Sequence, residues 1–484
     1  MASTLEINKF SGPFTKSQLD SNLIDIMTEN QSPTSKKKKK QQQQQQQQSG
    51  QVNTEIKLQA AIALCCTKTT LGCSQTELKS MTTLFQSKLQ SALNYLQLHS
   101  QMSNTFTQSG SKLGMNMQIN NVEMETTRNV LLALGQLGWE YQMIQDMIST
   151  YKIHESVLPL LHINCKCSKK IQVTNTQIVQ SLLSAVFFAV SVFLNQIKPP
   201  QFNQIWSEHT PLDHISPIIT SYAESLNNIS YQSQKQSSKK NNQSDNTSTD
   251  QQNKSNYSFD LICKSLCLLC GLMSGPLQLQ KKILENSKII ENVVKIASFN
   301  KFDQENENEN GRIKIQLYSF ECLSHFCKYP VPQIMRKILC DQKGIFVLTK
   351  FGSSAGEGNI HDNIIALNLR NISQILANLK INQSRIESKK LLNDINDNLE
   401  ESDIIEECDA LLYHSDIRDN IGVIKCAKEL KRMINKLALN PEIRIDQRGY
   451  AARINSEDES GNELEYVTDS DDEDDEDEEE EKYE

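Results

Sequence analysis

The chain has 484 residues, room for several ordinary domains or for one continuous helical array, and its hydrophobic share of 38 % is below the globular average. The shortfall is local: Gln/Asn/Ser/Lys tracts and an acidic end carry it, so the remaining segments are rich enough to bury a core. Ser456–Glu484 holds 18 Asp/Glu and one Lys, so a tail at −17 accounts for the chain's net −9 and leaves a body at +8. With 17 Gly and 11 Pro spread among long apolar stretches, helices joined by short turns fit better than a strand-rich sandwich.

The first 54 residues hold a basic run (Lys36, Lys37, Lys38, Lys39 and Lys40) followed by Gln41–Gln48, and read as a disordered segment. Met1–Phe10 shows no cationic region followed by an apolar one, so no secretory leader is expected. The lysine run is a candidate nuclear-localisation signal, and an intracellular setting, cytoplasmic or nuclear, is expected. Thirteen cysteines then read as free thiols in a reducing compartment.

Helical periodicity starts near Glu55 and returns at Leu78–Leu98. From Asn129 a unit emerges: an apolar run to Leu137, an amphipathic turn region over Tyr141–Ser149, and a helix over Ile153–Leu161. Leu182–Leu194 is the most apolar run, too short to span a bilayer and read as a buried helix, with Pro199 and Pro200 marking a stop beyond it. A loop of about residues 227–256 follows, then a unit at Leu261–Ala297, a short loop at 303–311 and a further unit at Ile313–Phe351. More helices are expected over Ile364–Leu379, Ile386–Leu399, Ile404–Tyr413 and Ile421–Leu439, before a tail from residue 441.

Asn129–Leu161 and Ser265–Ala297 superpose without a gap, sharing Leu132/Leu268, Gly135/Gly271, Gln142/Gln278, Lys152/Lys288, Ile153/Ile289, Glu155/Glu291 and Val157/Val293. Lys337-Ile338-Leu339 matches Lys282-Ile283-Leu284, and Lys343, Ile345 and Lys350 match Lys288, Ile290 and Lys295. A recurring fixed-length helical unit is the sequence signature of a solenoid. On these residues the region 55–440 resembles armadillo repeats, and HEAT-type helix pairs give a similar pattern. The resemblance implies an all-α right-handed superhelix whose final helices line a concave, protein-binding face. Tyr151, His154, Glu155, Lys288, Glu291, Asn292 and Lys343 are then the residues expected to look into it. The Trp/Asn ladder of armadillo cargo carriers is missing: Trp139 and Trp206 lie outside the final helices.

His162, Cys165 and Cys167 are the right residue types to start a zinc site, but no fourth ligand stands at a suitable spacing, so an exposed loop with free thiols and no metal is expected. Cys263, Cys267 and Cys270 lie in an apolar helical context and read as core. No nucleophile, base and orienter come together in the sequence, so neither catalysis nor a cofactor is expected. Ser456, Ser460, Thr468 and Ser470 each precede an acidic residue by three and are candidate phosphorylation sites. The expectation is a non-enzymatic scaffold or adaptor for protein partners, basic ones among them, modulated by the acidic tail, with no small-molecule substrate, no nucleic-acid partner and no membrane span expected. A nuclear carrier or chaperone of basic proteins acting through that tail, and an exchange factor for a chaperone or motor ATPase, are the alternatives.

Overall fold

The computed structural model describes residues 54–63, 65, 74–108, 120–137, 141–237, 257–299, 309–329, 331–352, 362–381, 386–413 and 422–439. The lysine run, the four candidate phosphorylation sites and the acidic tail lie outside these residues. By internal contacts the chain divides into a unit ending at Ile434 and a short one beginning at Asn435.

Among the described residues the regular elements are all helices, apart from one isolated bridge between Ile163 and Ile171. After residues 54–63 come α1 (Gln75–Gln108), α2 (Asn121–Gln136), α3 (Tyr141–Ser149) and α4 (Ile153–Val157), the last tightening into a 3-10 turn, Leu158–His162. Next are α5 (Gln177–Leu194), α6 (Pro199–His209), α7 (Pro211–Ser237), α8 (Phe259–Met273), α9 (Leu277–Glu285) and α10 (Ser287–Ser298). The chain continues with α11 (Glu309–Cys327), α12 (Pro332–Arg336, widening into a π turn over Lys337–Asp341) and α13 (Gly344–Gly352). Then come α14 (Asp362–Ile381), α15 (Ile386–Glu401), α16 (Ile404–Tyr413) and α17 (Val423–Leu439), the last of which carries the boundary between the two units at Ile434.

These helices fall into five triplets of one pattern: a long first helix, a shorter second and a third that returns to the stack. The first helices pack in series, α2 on α5, α5 on α8, α8 on α11 and α11 on α14. The third helices do the same, with the Leu158–His162 turn against α7, α7 on α10, α10 on α13 and α13 on α16. Each triplet therefore meets chiefly its neighbours, which is how a helical solenoid holds together. The two gapless sequence copies coincide helix for helix: α3 shifted by 136 residues falls on α9 end for end. The segment Tyr141–Ser149, expected to be a turn, is a helix because Ile144, Met147 and Ile148 form a buried stripe.

Local chemistry accounts for the starts. Asn120 accepts from the backbone N–H groups of Val122 and Glu123 to cap α2, Ser258 caps α8 through Leu261 and Asn286 caps α10 through Ile289. Pro199, expected to mark a stop, opens α6, since a first-turn proline forfeits only an N–H that has no helical partner. α7 runs on to Ser237, past residue 227 where the sequence places a loop.

One backbone feature recurs. Lys152, Thr210, Lys343 and Asp403 all have φ between 37° and 59°, and each directly precedes the third helix of its triplet. A left-handed residue reverses the chain in a single step between second and third helices. It costs a non-glycine about 1 kcal/mol, which the packing on both sides must offset.

The core centres on α5. Among the described residues it is the one helix long and apolar enough to cross a membrane, yet 67 % of it is buried inside the protein. α2 covers one side and α8 another, and Phe187 and Phe193 of α5 are fully buried. The repeated glycines explain how closely the helices approach. A Cβ on Gly271 of α8 would stand 3.0 Å from the Ser191 carbonyl oxygen of α5, and one on Gly135 of α2 would meet the Phe188 ring of α5 at 2.4 Å. The Phe188 side chain can swing aside, whereas the Ser191 backbone cannot. Gly271→Val is therefore expected to destabilise the chain by about 1–3 kcal/mol, and Gly135→Ala by less, both measured by urea unfolding.

Candidate functional site

Two sets of residues have the character of a site: the outward stripe of the third helices, and a cluster of histidines and cysteines between the first and second triplets.

On α10 the positions left to solvent are Ser287, Lys288, Glu291 and Ser298, with Lys295 half-buried, so from Lys288 onward the stripe follows helical spacing. The equivalent positions of α13 are Lys343, Phe346 and Lys350, all exposed, with Phe346 at 58 %. At α4 the pair is Lys152 and Glu155, whose charged groups stand 3.6 Å apart. Each of these units thus exposes a lysine at the head of its third helix and a second side chain three residues on, read as Glu, Glu and Phe. Glu224 of α7 lies 3.7 Å from Lys288, which continues the stripe onto the neighbouring helix.

The other expected partner-binding residues are placed differently. Asn292 is buried, and its Nδ2 donates to Thr220 Oγ1 at 2.9 Å, tying α10 to α7 instead of meeting a partner. His154 occupies the position at which the other copies bury Ile290 and Ile345, and burial holds its imidazole below the ordinary range. Tyr151 is half-buried, with its hydroxyl donating to the Gln75 carbonyl at 3.2 Å and its own carbonyl accepting from Gln86 Nε2 at 2.6 Å. Of the seven residues, Glu155, Lys288, Glu291 and Lys343 keep open positions. The signal that sequence reading missed is Phe346, a large apolar residue at a position where two other copies carry glutamate.

The cysteines of α8 stand as the apolar context suggests. Cys263 and Cys270 are buried, and burial pushes the Cys263 thiol up to about 12 and that of Cys267 to about 11.

The His162–Cys167 segment is more than an exposed loop. His162 ends the 3-10 turn, and the chain then reverses at Asn164 (φ 54°) and closes on itself: Ile171 N–H donates to the His162 carbonyl at 2.9 Å and Asn164 N–H to the Ile171 carbonyl at 2.9 Å. This folds Cys165 and Cys167 back over His162, with the sulfurs 2.7 Å apart and Cys167 Sγ 3.1 Å from His162 Nδ1. The absent fourth ligand comes from the next triplet. His214, in the first turn of α7, brings its ring to 4.9 Å from that of His162, and ligand atoms of His162, Cys165, Cys167 and His214 all lie within 4.8 Å of one another. His209, the last residue of α6, sits behind them: its Nδ1 is 3.0 Å from His162 Nε2, and its carbonyl is 2.8 Å from His214 Nε2. The sharp turn at Thr210 is what swings His214 back under His209.

Burial, with His214 and His209 adding to it, pushes His162 down to about 4. His209 and His214 are lowered by the same desolvation, and burial beside Cys167 pushes the Cys165 thiol up to about 12.

No model of a known protein family matches the chain, and no curated protein matches it at a meaningful level. A double-mutant cycle on Asn292→Ala and Thr220→Ala is expected to return a coupling of about 1 kcal/mol in unfolding free energy, marking Asn292 as a bond between third helices.

Proposed function

We propose that the chain is a non-enzymatic, armadillo-like scaffold that holds an extended segment of a protein partner along the outward stripe of its third helices. The observation carrying this is the repeated exposed pair, Lys152/Glu155, Lys288/Glu291 and Lys343/Phe346, on helices that occupy equivalent places in stacked triplets. A surface that repeats in register is suited to a partner that is itself extended. Lys288, Lys295, Lys343 and Lys350 against Glu224 and Glu291 give its middle a basic balance, and Phe346 offers an apolar anchor of the kind that dominates binding energy. The partner segment is therefore acidic with an aromatic or aliphatic residue among the acids. The acidic tail, carrying charge opposite to this stripe, tunes partner choice electrostatically.

The test is quantitative affinity mass spectrometry with three full-length forms: wild type, Lys343→Glu/Phe346→Ala, and Lys288→Glu. Both variants, with unchanged circular dichroism, are expected to recover at least tenfold less of the partner than wild type. Truncation at Ser456 is expected to alter selectivity while leaving stripe-dependent binding in place. Recovery unaffected by either stripe variant would overturn the reading, and loss of every partner on truncation alone would favour a tail-borne chaperone of basic proteins.

A further inference from the structure

We propose that His162, Cys165, Cys167 and His214 form a structural zinc site that fastens the first helical triplet to the second. Two His and two Cys are the ligand types that Zn²⁺ takes in closed tetrahedral sites, and the four donors already stand within 4.8 Å of one another. With Zn–S and Zn–N bonds of about 2.3 and 2.0 Å, the edges of such a tetrahedron run to about 3.3–3.8 Å. The Cys167 Sγ to His162 Nδ1 spacing of 3.1 Å is close to this, and the two sulfurs at 2.7 Å need to open by only about 1 Å.

A second observation points the same way. His214 is 6 % exposed, its Nε2 is taken by the His209 carbonyl, and its Nδ1 is a buried atom without a hydrogen-bond partner. A buried acceptor left unpaired is costly, and a metal ion at that position would satisfy it. The arrangement around it is the one metal-bound imidazoles adopt, with the second ring nitrogen held by a carbonyl or another acceptor. His209 supplies both holders: its carbonyl accepts from His214 Nε2, and its Nδ1 accepts from His162 Nε2. His209 is thus a positioning residue for both imidazole ligands, while His162 and His214 each present Nδ1 to the ion.

Charge balances as well. Binding releases a proton from each thiol, and two thiolates with two neutral imidazoles leave Zn²⁺ formally neutral in a half-buried setting. All four positions are filled by protein, which is the closed coordination of a structural ion, not the open one of a catalyst. Three ligands come from the loop that ends the first triplet and one from α7 of the second, so the ion would clamp two units that otherwise meet through packed helices and the His162–His209 and Lys169–Glu208 hydrogen bonds.

Full-length protein, purified under reducing conditions and stripped with a chelator, tests this with Zn²⁺ against a chromophoric competitor and with Co²⁺ followed by absorption. The wild type is expected to bind about one zinc per chain, to melt at a higher temperature with it, and to give with cobalt the intense visible bands of a tetrahedral thiolate site. Cys165→Ser/Cys167→Ser and His214→Ala are expected to lose at least tenfold in zinc affinity and the cobalt bands, while Cys408→Ser keeps both. His209→Ala removes no ligand and so remains informative if the ligand variants misfold; it is expected to weaken binding by about 10–100-fold. Zinc uptake that is equal in the wild type and these variants, or no uptake by a wild type of intact helical content, would overturn the proposal.

Discussion

The close crossing of α5 with its two neighbours is the constraint on which the array depends. α5 is apolar around most of its circumference, a composition stable only when other helices cover it. α2 and α8 cover it, and each brings a glycine to the contact, at the matching positions Gly135 and Gly271 of the two sequence copies. Backbone-to-backbone approach at Gly271 draws Cys267 Sγ to 3.3 Å from Ser191 Oγ, and Lys264 lies 3.9 Å over the Phe188 ring on the rim of the same interface. A side chain at Gly271 would push α8 away from the α5 backbone and widen this spacing.

With the first helices fixed in line, the third helices fall into a second line without independent instructions. Their buried residues interlock, as Ile289, Ile290, Val293 and Ile296 do on α10, and an occasional polar bond such as Asn292 to Thr220 sets the register. Whatever side chains remain outward are then spaced by the stack itself. This separates the two tasks of the sequence: the recurring residues build the frame, and the non-recurring ones, Phe346 in place of Glu155 or Glu291, distinguish one stretch of surface from the next.

The frame was largely legible in the sequence because core periodicity and glycine positions are local patterns that survive duplication. Helices over α2, α5, α8, α10, α14 and α15 follow directly from apolar spacing. The short second helices were harder: α3 has only nine residues and reads as an amphipathic turn, and the prolines at 199 and 200 read as a stop although the preceding helix has already finished at Leu194. The candidate site was legible only in part. His162, Cys165 and Cys167 stand close in sequence, but His214 lies 47 residues beyond Cys167 and arrives through the packing of α6 and α7. Burial was equally out of reach, since Asn292 and Lys288 occupy the same helix and only the neighbouring α7 decides which of them is covered.

The serial stacking has a consequence for how this chain tolerates change. The second and third triplets are joined through the 21 residues between Ser237 and Phe259, rich in Ser, Asn, Gln and Lys, while α9 and α10 are joined through Asn286 alone. The entropy of closing a loop rises only with the logarithm of its length, so doubling such a connection costs about 0.6 kcal/mol. A tract of this composition can therefore lengthen or shrink between generations with little thermodynamic penalty, provided α7 and α8 still find their neighbours. The same number of residues inserted at Asn286 would break a one-residue hinge and throw two lines of helices out of step.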